Sequence, residues 1–456
     1  MHRDISHMLE EKVLFALDIG SSKLRLISGY LNPDNTLIIQ GLIEKQSQGI
    51  YNGSVSSVAQ LLEQIACLIQ EFQSTYRVII GKLILGVSGC SIFSYNIQGL
   101  TSVPTGSISI FERNLAIKQA IIKIKKYHQN DFSLLHVIPQ QYQTDSSAYV
   151  VDPIGMVARF LRVRLHVIGC NSILKKNMED IMRKVSPNII INKFVFNGNA
   201  AASAVLLESE KEIGVIHLDI GSETVNASIY NNNYQIMSFG LETGSNAITR
   251  KIAKEFSVSM YLAEILKCRC GIADPKLLPK ELKNKTVSDV INDIQYSHNL
   301  RKNEDIKMER LTKVINEAIC CIFEEIFLKI EHICSNYSNN LDISAGVVIT
   351  GGFSKLLGIE SAVKNWICYH CLKRNSIFTC TPNVRIGLPR NVKVTDYFLK
   401  KNHVVNSDKA VVIGLLRNSF SDNFEPYIGN FEAKKISFLK KCLVRLKGLF
   451  LQHHKI

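Results

Sequence analysis

At 456 residues with 46% hydrophobic side chains, the chain can bury more than one core and is expected to divide into several domains. A formal charge of +14 and an isoelectric point near 9.1 imply an acidic partner, and charge alone does not choose between nucleic acid and an anionic lipid surface. No apolar run approaches the roughly 18–20 residues of a spanning helix, which excludes a helical bilayer crossing. The nearest, AVVIGLL at 410–416, has the length of a core strand.

The N-terminus has no secretory core, because the short apolar run at 13–17 stops at Asp18, so the chain is expected to stay in the cytoplasm. Twelve cysteines without a regular framework fit a reducing compartment, where thiols serve as small buried hydrophobes. Cys368, His370, Cys371 and Cys380 cluster, but the second CxxC or HxxxH of a zinc site is missing, so core packing is the reading.

In chain order, VLFALDIG, SSKLRLISGYL and TLIIQGLIE predict a β-meander with turns at Gly20 and at 32–35. Residues 55–72 carry apolar side chains at helical spacing, and KLILGVSG follows as a buried strand, which makes an α/β layer. From about 88 to 166 the pattern changes to long strands around a helix at 111–127, the mark of a small inserted α+β subdomain. VIHLDIGSETVNASIYNNNY at 215–234 then repeats the opening strand-turn-strand with the same Asp-x-Gly placement. Helical periodicity fills 246–267 and 306–334, and the Lys- and Asp-rich stretch 276–307 between them reads as exposed. AGVVITGGFSKLLGIESAVKNW returns to buried strand, turn and helix, and SDNFEPYIGN reads as a linker before a last helical stretch.

The turns DIGSSK (18–23) and DIGSET (219–224) suit phosphate: Gly lets the backbone approach, N–H groups and hydroxyls donate hydrogen bonds, and the Asp orients a hydrated divalent cation. In VVITGGF (347–353) a buried strand ends in two glycines, which lets a flat adenine or ribose lie against backbone. One DxG turn is most often an ordinary hairpin. The order decides: DxGS, DxGSxT about 200 residues on, then TGG about 130 further is the arrangement of the actin, heat-shock chaperone and sugar-kinase superfamily.

Within that superfamily the chain resembles the FtsA family of bacterial cell-division proteins, from about residue 13 to 414. GSVSSV, LILGVSG, LHVIPQQY, VRLHVIGC, NVRIGLP and AVVIGLL carry the resemblance, and LHVIPQQY, inside the insert, discriminates. The resemblance implies an α/β, actin-like (ribonuclease-H-like) two-domain fold with an FtsA-type inserted α+β subdomain. Its implied order is domain IA at 1–87, subdomain IC at 88–166, IA again at 167–195, IIA at 196–245, IIB at 246–340, IIA at 341–385, a return to IA at 386–420, a linker at 421–432 and an amphipathic membrane-targeting helix at 433–456. It assigns Asp18, Gly20, Ser21, Ser22 and Lys23 to the first phosphate loop, and Asp219, Gly221, Ser222 and Thr224 to the second. Gly351, Gly352 and Phe353 match the adenosine loop, Gly244 lies where the family closes around the phosphates, and Glu264 with Lys267 falls where relatives hold ribose or base. ATP and Mg, the latter held through water by Asp18 and Asp219, are the implied ligands.

Two departures stand out. Ser222 and Glu223 replace two glycines of the family's DIGGGT, and Glu223 adds negative charge beside a polyanion unless it points outward. NGNAAASAVL from Asn197 offers no acid or glutamine to activate water, so ATP binding with slow or negligible turnover is expected.

In KKISFLKKCLVRLKGLFLQHHKI, Leu439, Leu443, Leu446 and Phe450 fall on one helical face beside Ile436 and Leu449, while Lys440, Lys441, Arg445 and Lys447 decorate the rest. A basic amphipathic helix behind a linker is what interfacial anchoring needs. The resemblance therefore implies a peripheral protein on the cytoplasmic face of the inner membrane at the division septum. There it would self-associate in actin-like fashion, tether the FtsZ ring and help recruit later division proteins, with no nucleic-acid partner. The competing class is a phosphotransferase of the sugar-kinase type, which lacks a recognisable sugar-binding segment here and has no need of such a tail.

Overall fold

The computed structural model describes residues 13–128, 131–145, 149–290, 306–334, 342–370, 382–395 and 405–418. They divide into two compact units, one containing the chain up to Ser94 and from Gly169 onward, the other Tyr95–Ile168.

The larger unit opens on a meander of β1 (Leu14–Ile19), β2 (Lys23–Leu31) and β3 (Leu37–Gln46). Two short strands, β4 (Ile50–Tyr51) and β5 (Ser54–Val55), then form a hairpin. Its two turn residues, Asn52 (φ 48) and Gly53 (φ 74), are both left-handed, as the Asn-Gly type I′ turn requires. In α1 (Val58–Tyr76) the Ser57 side chain caps the first turn, and Leu61, Ile65, Leu68, Ile69 and Phe72 make the buried stripe at helical spacing. After β6 (Lys82–Val87) the chain enters the smaller unit.

That unit is a sheet of β7 (Ile92–Ser102), β8 (Phe132–Gln143), β9 (Tyr149–Val150) and β10 (Phe160–Asn171), in the order β7-β10-β8-β9, with α2 (Ile110–Tyr127). Helix α2 starts on a capping box: Phe111 N donates to Ser109 Oγ and Ser109 N donates to Glu112 Oε2. Ser109→Ala should cost about 1 kcal/mol. Faster amide exchange in the first turn of α2, with the strands unchanged, is the expected readout.

Back in the larger unit come α3 (Ser172–Val185), β11 (Ile190–Phe196), α4 (Asn197–Val205) and α5 (Glu208–Ile213), then a second meander of β12 (Val215–Ile220), β13 (Val225–Asn231) and β14 (Tyr234–Leu241). Helices α6 (Asn246–Phe256), α7 (Met260–Cys270), α8 (Val287–Val290) and α9 (Met308–Cys334) follow, then β15 (Gly346–Thr350), α10 (Ile359–His370), β16 (Val384–Ile386), β17 (Val392–Val394) and α11 (Ala410–Asn418). Two sheets result, ordered β11-β6-β1-β2-β3-β17 and β14-β13-β12-β15-β16. Each places its opening hairpin beside a parallel strand, β1 on β6 and β12 on β15.

Four expectations are corrected. The helical stretch 246–267 is two helices, because Ser257 turns left-handed (φ 52) and Ser259 caps a new start. The stretch expected to be exposed buries Leu278, Val287 and Ile306 in the core, although 291–305 lie outside the described residues. AVVIGLL is helical: this part of α11 is apolar on every side and buried at each residue, and it presses Gly414 against the Ala200 carbonyl of α4. A short 3₁₀ turn, Gly352–Lys355, which contains the second glycine, lies between Gly351 and α10.

His370 stacks on Trp366, while Cys371 and Cys380 lie outside the described residues. So do the linker at 421–432 and the helix expected at 433–456.

Candidate nucleotide cleft

The two opening hairpins are built alike. In the first, Gly20 N donates to Lys23 O at 3.1 Å and Asp18 stands in register with Arg25. In the second, Gly221 N donates to Thr224 O at 2.8 Å and Asp219 stands opposite Asn226. Thr350, at the end of β15, lies beside Asp219, so the glycine turn that follows is delivered to the second hairpin. Gly351 sits at φ 86 with an imaginary Cβ 2.3 Å from the Ile220 carbonyl, so only glycine permits this approach.

These pieces line one cleft of about 1000 Å³. Asp18, Gly20, Ser21, Ser22, Lys23, Asp219, Gly221, Ser222, Thr224, Glu264, Lys267, Gly351, Gly352 and Phe353 all reach its wall. The Phe353 ring itself is packed in the core against Phe323. Gly244 lies behind the wall: an imaginary Cβ on it would stand 2.7 Å from the Ser222 carbonyl, while Ser245 N and Asn246 N donate to Gly221 O and Ser222 O. Ser245 and Asn246 open α6, so a helix N-terminus also meets the cleft.

The acidic residues of the two hairpins have unlike surroundings. Asp18 receives Arg25 Nη1 at 3.4 Å and Asn197 Nδ2 at 3.1 Å, and burial still outweighs them and raises its pKa. Arg25 also reaches Glu44 (3.1 Å) and Asp408 (3.6 Å), and Lys409 and Lys23 close on Glu44 at 3.2 Å each. Burial opposes ionisation of Glu44, but Arg25, Lys409 and Lys23 overcome it and hold the carboxyl at about 2. Asp219 has only neutral donors, Asn226 Nδ2 and Thr350 Oγ1, both at 3.2 Å. Burial therefore pushes it up to about 6, helped by the nearby Asp18 charge.

On the other side of the cleft, Lys267 is buried, with Nζ 2.7 Å from Glu264 Oε2, 2.9 Å from Thr249 Oγ1 and 3.3 Å from Ser245 O. Lys267 is thus buried among three oxygens, while its i,i+3 partner Glu264 stays half exposed. Burial works against the Glu264 charge, and Lys267 and Thr249 outweigh it and lower its pKa.

Among the cleft residues that escape a motif reading are Arg25, Asn197 and Asn226. The first and last stand seven positions after their aspartates, which hairpin pairing alone would have revealed. Nothing in NGNAAASAVL marks Asn197. Glu223 points out of the cleft, to Asn52 N at 2.8 Å and Asn246 Nδ2 at 3.3 Å.

A magnesium nucleotide fits these residues. Asp219 is a buried carboxylate hydrogen-bonded by the neutral donors Asn226 and Thr350, and Asn197 Oδ1 is buried without a hydrogen-bond partner. Both are the oxygen ligands that a hydrated hard cation takes, directly or through water. Among the described residues no three His, Cys, Asp or Glu side chains gather as a protein-only metal cage.

Comparison with known proteins agrees with the architecture. The family model described as the SHS2 domain inserted in FtsA matches residues 89–169, and the model described as cell division protein FtsA matches 216–414. The cell division protein FtsA of Buchnera aphidicola subsp. Baizongia pistaciae is 27% identical, covering 86% of this chain and 92% of its own length. That of Escherichia coli K12 is 23% identical, covering 85% and 87%. Among solved structures, the PilM-PilN type IV pilus biogenesis complex superposes with a TM-score of 0.60 over 90% of this chain and 98% of its own, at 15% identity. That likeness shows the actin-like α/β fold. The two models fall in order and together span more than half of the sequence, with relatives aligned over more than four-fifths of it: the chain belongs to the FtsA family of cell-division proteins.

Proposed function

We propose that this chain is a cell-division adaptor that binds ATP between its two DxGS hairpins and tethers the tubulin-like division protein FtsZ to the cytoplasmic face of the inner membrane at the septum. The observation that carries the ATP reading is the pairing of two glycine-containing phosphate turns across one cleft that the buried Asp219 carboxylate also lines. Bound Mg²⁺ would neutralise phosphate charge there. The chain's own groups do the rest: turn N–H groups and Ser21, Ser22, Ser222 and Thr224 hydroxyls cradle phosphates, Gly351 and Gly352 admit the adenosine, and Glu264 with Lys267 meets ribose or base. Asn197, touching Asp18, is the one side chain of NGNAAASAVL against the phosphate end, and an amide is no general base, which supports slow or negligible turnover.

The membrane reading rests on the amphipathic pattern of 433–456. Each cation near an anionic surface contributes about 1 kcal/mol, and each buried Leu or Phe roughly 1.5–3 kcal/mol, so one such helix gives reversible binding. Among the described residues no helix is long and apolar enough to cross a membrane. Actin-like self-association, FtsZ recruitment through 246–340 and the gathering of later division proteins complete the proposal.

The test is co-sedimentation of the full chain with anionic liposomes and Mg-ATP, against a chain ending at Asn430. Only the full chain should pellet, and high salt should weaken the binding without abolishing it. If both chains stay in solution, the tether reading fails.

A further inference from the structure

Glu223 occupies a phosphate-turn position where a carboxylate facing the ligand would repel it, yet its Oε2 accepts from Asn52 N at 2.8 Å and its Oε1 from Asn246 Nδ2 at 3.3 Å. Asn52 and Gly53 form the tip of the β4–β5 hairpin, which belongs to the same stretch of chain as the first phosphate turn. In a two-residue turn the N–H of the first turn residue faces away from the strand ladder, so the Asn52 amide needs an outside acceptor. Its neighbour Gly53 donates to Ser21 Oγ at 3.4 Å, and an imaginary Cβ on Gly53 would stand 3.0 Å from Thr224 Cγ2 and from Gly89 Cα. The tip therefore rests on the first phosphate turn through Ser21 and on the second through Thr224 and Glu223. Of these contacts, only the one to Glu223 is charge-assisted, and such bonds are about twice as strong as neutral ones.

We propose that Glu223 latches the Asn52–Gly53 turn across the phosphate end of the cleft and so slows release of a bound nucleoside triphosphate. Glu223 acts through Asn52 and is a positioning residue, not a ligand. The inference rests on the nucleotide reading above and concerns how long the nucleotide stays. The apparent liability of Glu223, its charge, becomes the source of the bond, because a second residue, Asn246, holds the carboxylate turned outward.

The experiment uses the full chain with two substitutions, Glu223→Ala and Glu223→Gln. Amide exchange at Asn52 and Gly53 is measured without nucleotide, and release of a fluorescent ATP analogue with Mg²⁺ is measured by stopped flow. Glu223→Ala should lose protection at Asn52 and release the analogue about tenfold faster, the worth of one charge-assisted bond. Glu223→Gln keeps an oxygen for the Asn52 N–H but not the charge, so it should fall between the parent and Glu223→Ala, with release about threefold faster and part of the Asn52 protection kept. Slower release in both variants would mean that the charge acts on the phosphates and would overturn the latch. Unchanged exchange at Asn52 in Glu223→Ala would overturn it as well. A parent chain that binds no analogue overturns both readings, and protection at Asn52 that still depends on Glu223 would place that failure in nucleotide binding rather than in the turn.

Discussion

Replacing Arg25 with methionine should lower the stability of the larger unit by about 3–5 kcal/mol near neutral pH, the range for removing one partner from a buried ion network. Arg25 reaches Asp18, Glu44 and Asp408 at once. Lys409 and Lys23 remain for Glu44, and Lys355 remains for Asp408, so Asp18 is the group left without a cation. The sign follows from burial. With Arg25 gone the folded-state pKa of Asp18, already raised, rises further, so the penalty is carried by its ionised form and fades as the carboxyl protonates. Denaturant titrations should therefore show the deficit shrinking as pH falls from neutral into the acid range, where the raised Asp18 carboxyl protonates. A deficit below about 1 kcal/mol, or one that ignores pH, would mean that the network contributes little.

Asp219→Asn should move stability and binding in opposite directions. The Asp219 carboxyl rises from 3.8 to about 6 on folding, because burial penalises its charge. A raised acid contributes full stability below its unfolded pKa and loses it as pH climbs through the folded value, here between about 4 and about 6. Asparagine removes that loss, worth at most about 3 kcal/mol for two units. It also disturbs one of the two hydrogen bonds from Asn226 and Thr350, which returns about 1 kcal/mol. The ligand-free variant should unfold about 2 kcal/mol later than the parent at pH 7.5, with the slope between pH 4 and 6 flattened. Affinity for Mg-ATP should fall about 100-fold, in line with the loss of about 3 kcal/mol of charge pairing. Equal nucleotide affinity in parent and variant would remove Asp219 from the cation site.

The parts of this fold that were legible share a local cause. DIGSSK and DIGSET announce themselves because strands buried along most of their length flank a glycine-containing turn, and both turns close with the same bond. The α1 stripe from Leu61 to Phe72 is likewise carried by spacing alone. What stayed hidden depends on distant partners. The direction of Glu223 is set by Asn52, 171 residues away, and the role of Arg25 by Asp408 as much as by Asp18. AVVIGLL has no polar face to show a helical period, so only its burial against α4 and the first sheet separates helix from strand. The Ser257 break between α6 and α7 is a left-handed residue that is not glycine, a choice that composition does not advertise. Leu278, Val287 and Ile306 are single apolar anchors in a charged stretch, too sparse to form a period.

The position of β17 and α11 sets a timetable for synthesis. The sheet bearing Asp18 gets its last strand from residues 392–394, paired in parallel with β3, and α11 covers that sheet still later. At about 5–20 residues per second, a ribosome needs on the order of tens of seconds between making β3 and making β17. Throughout that interval β3 is an open sheet edge, with Ile38 and Ile39 awaiting partners. The hairpin carrying Asp219 pairs with β15 well before then. The second sheet receives its own last strand, β16, only shortly before β17, so the two halves should finish almost together, and the opening meander, which waits longest, should be the segment a chaperone must shield.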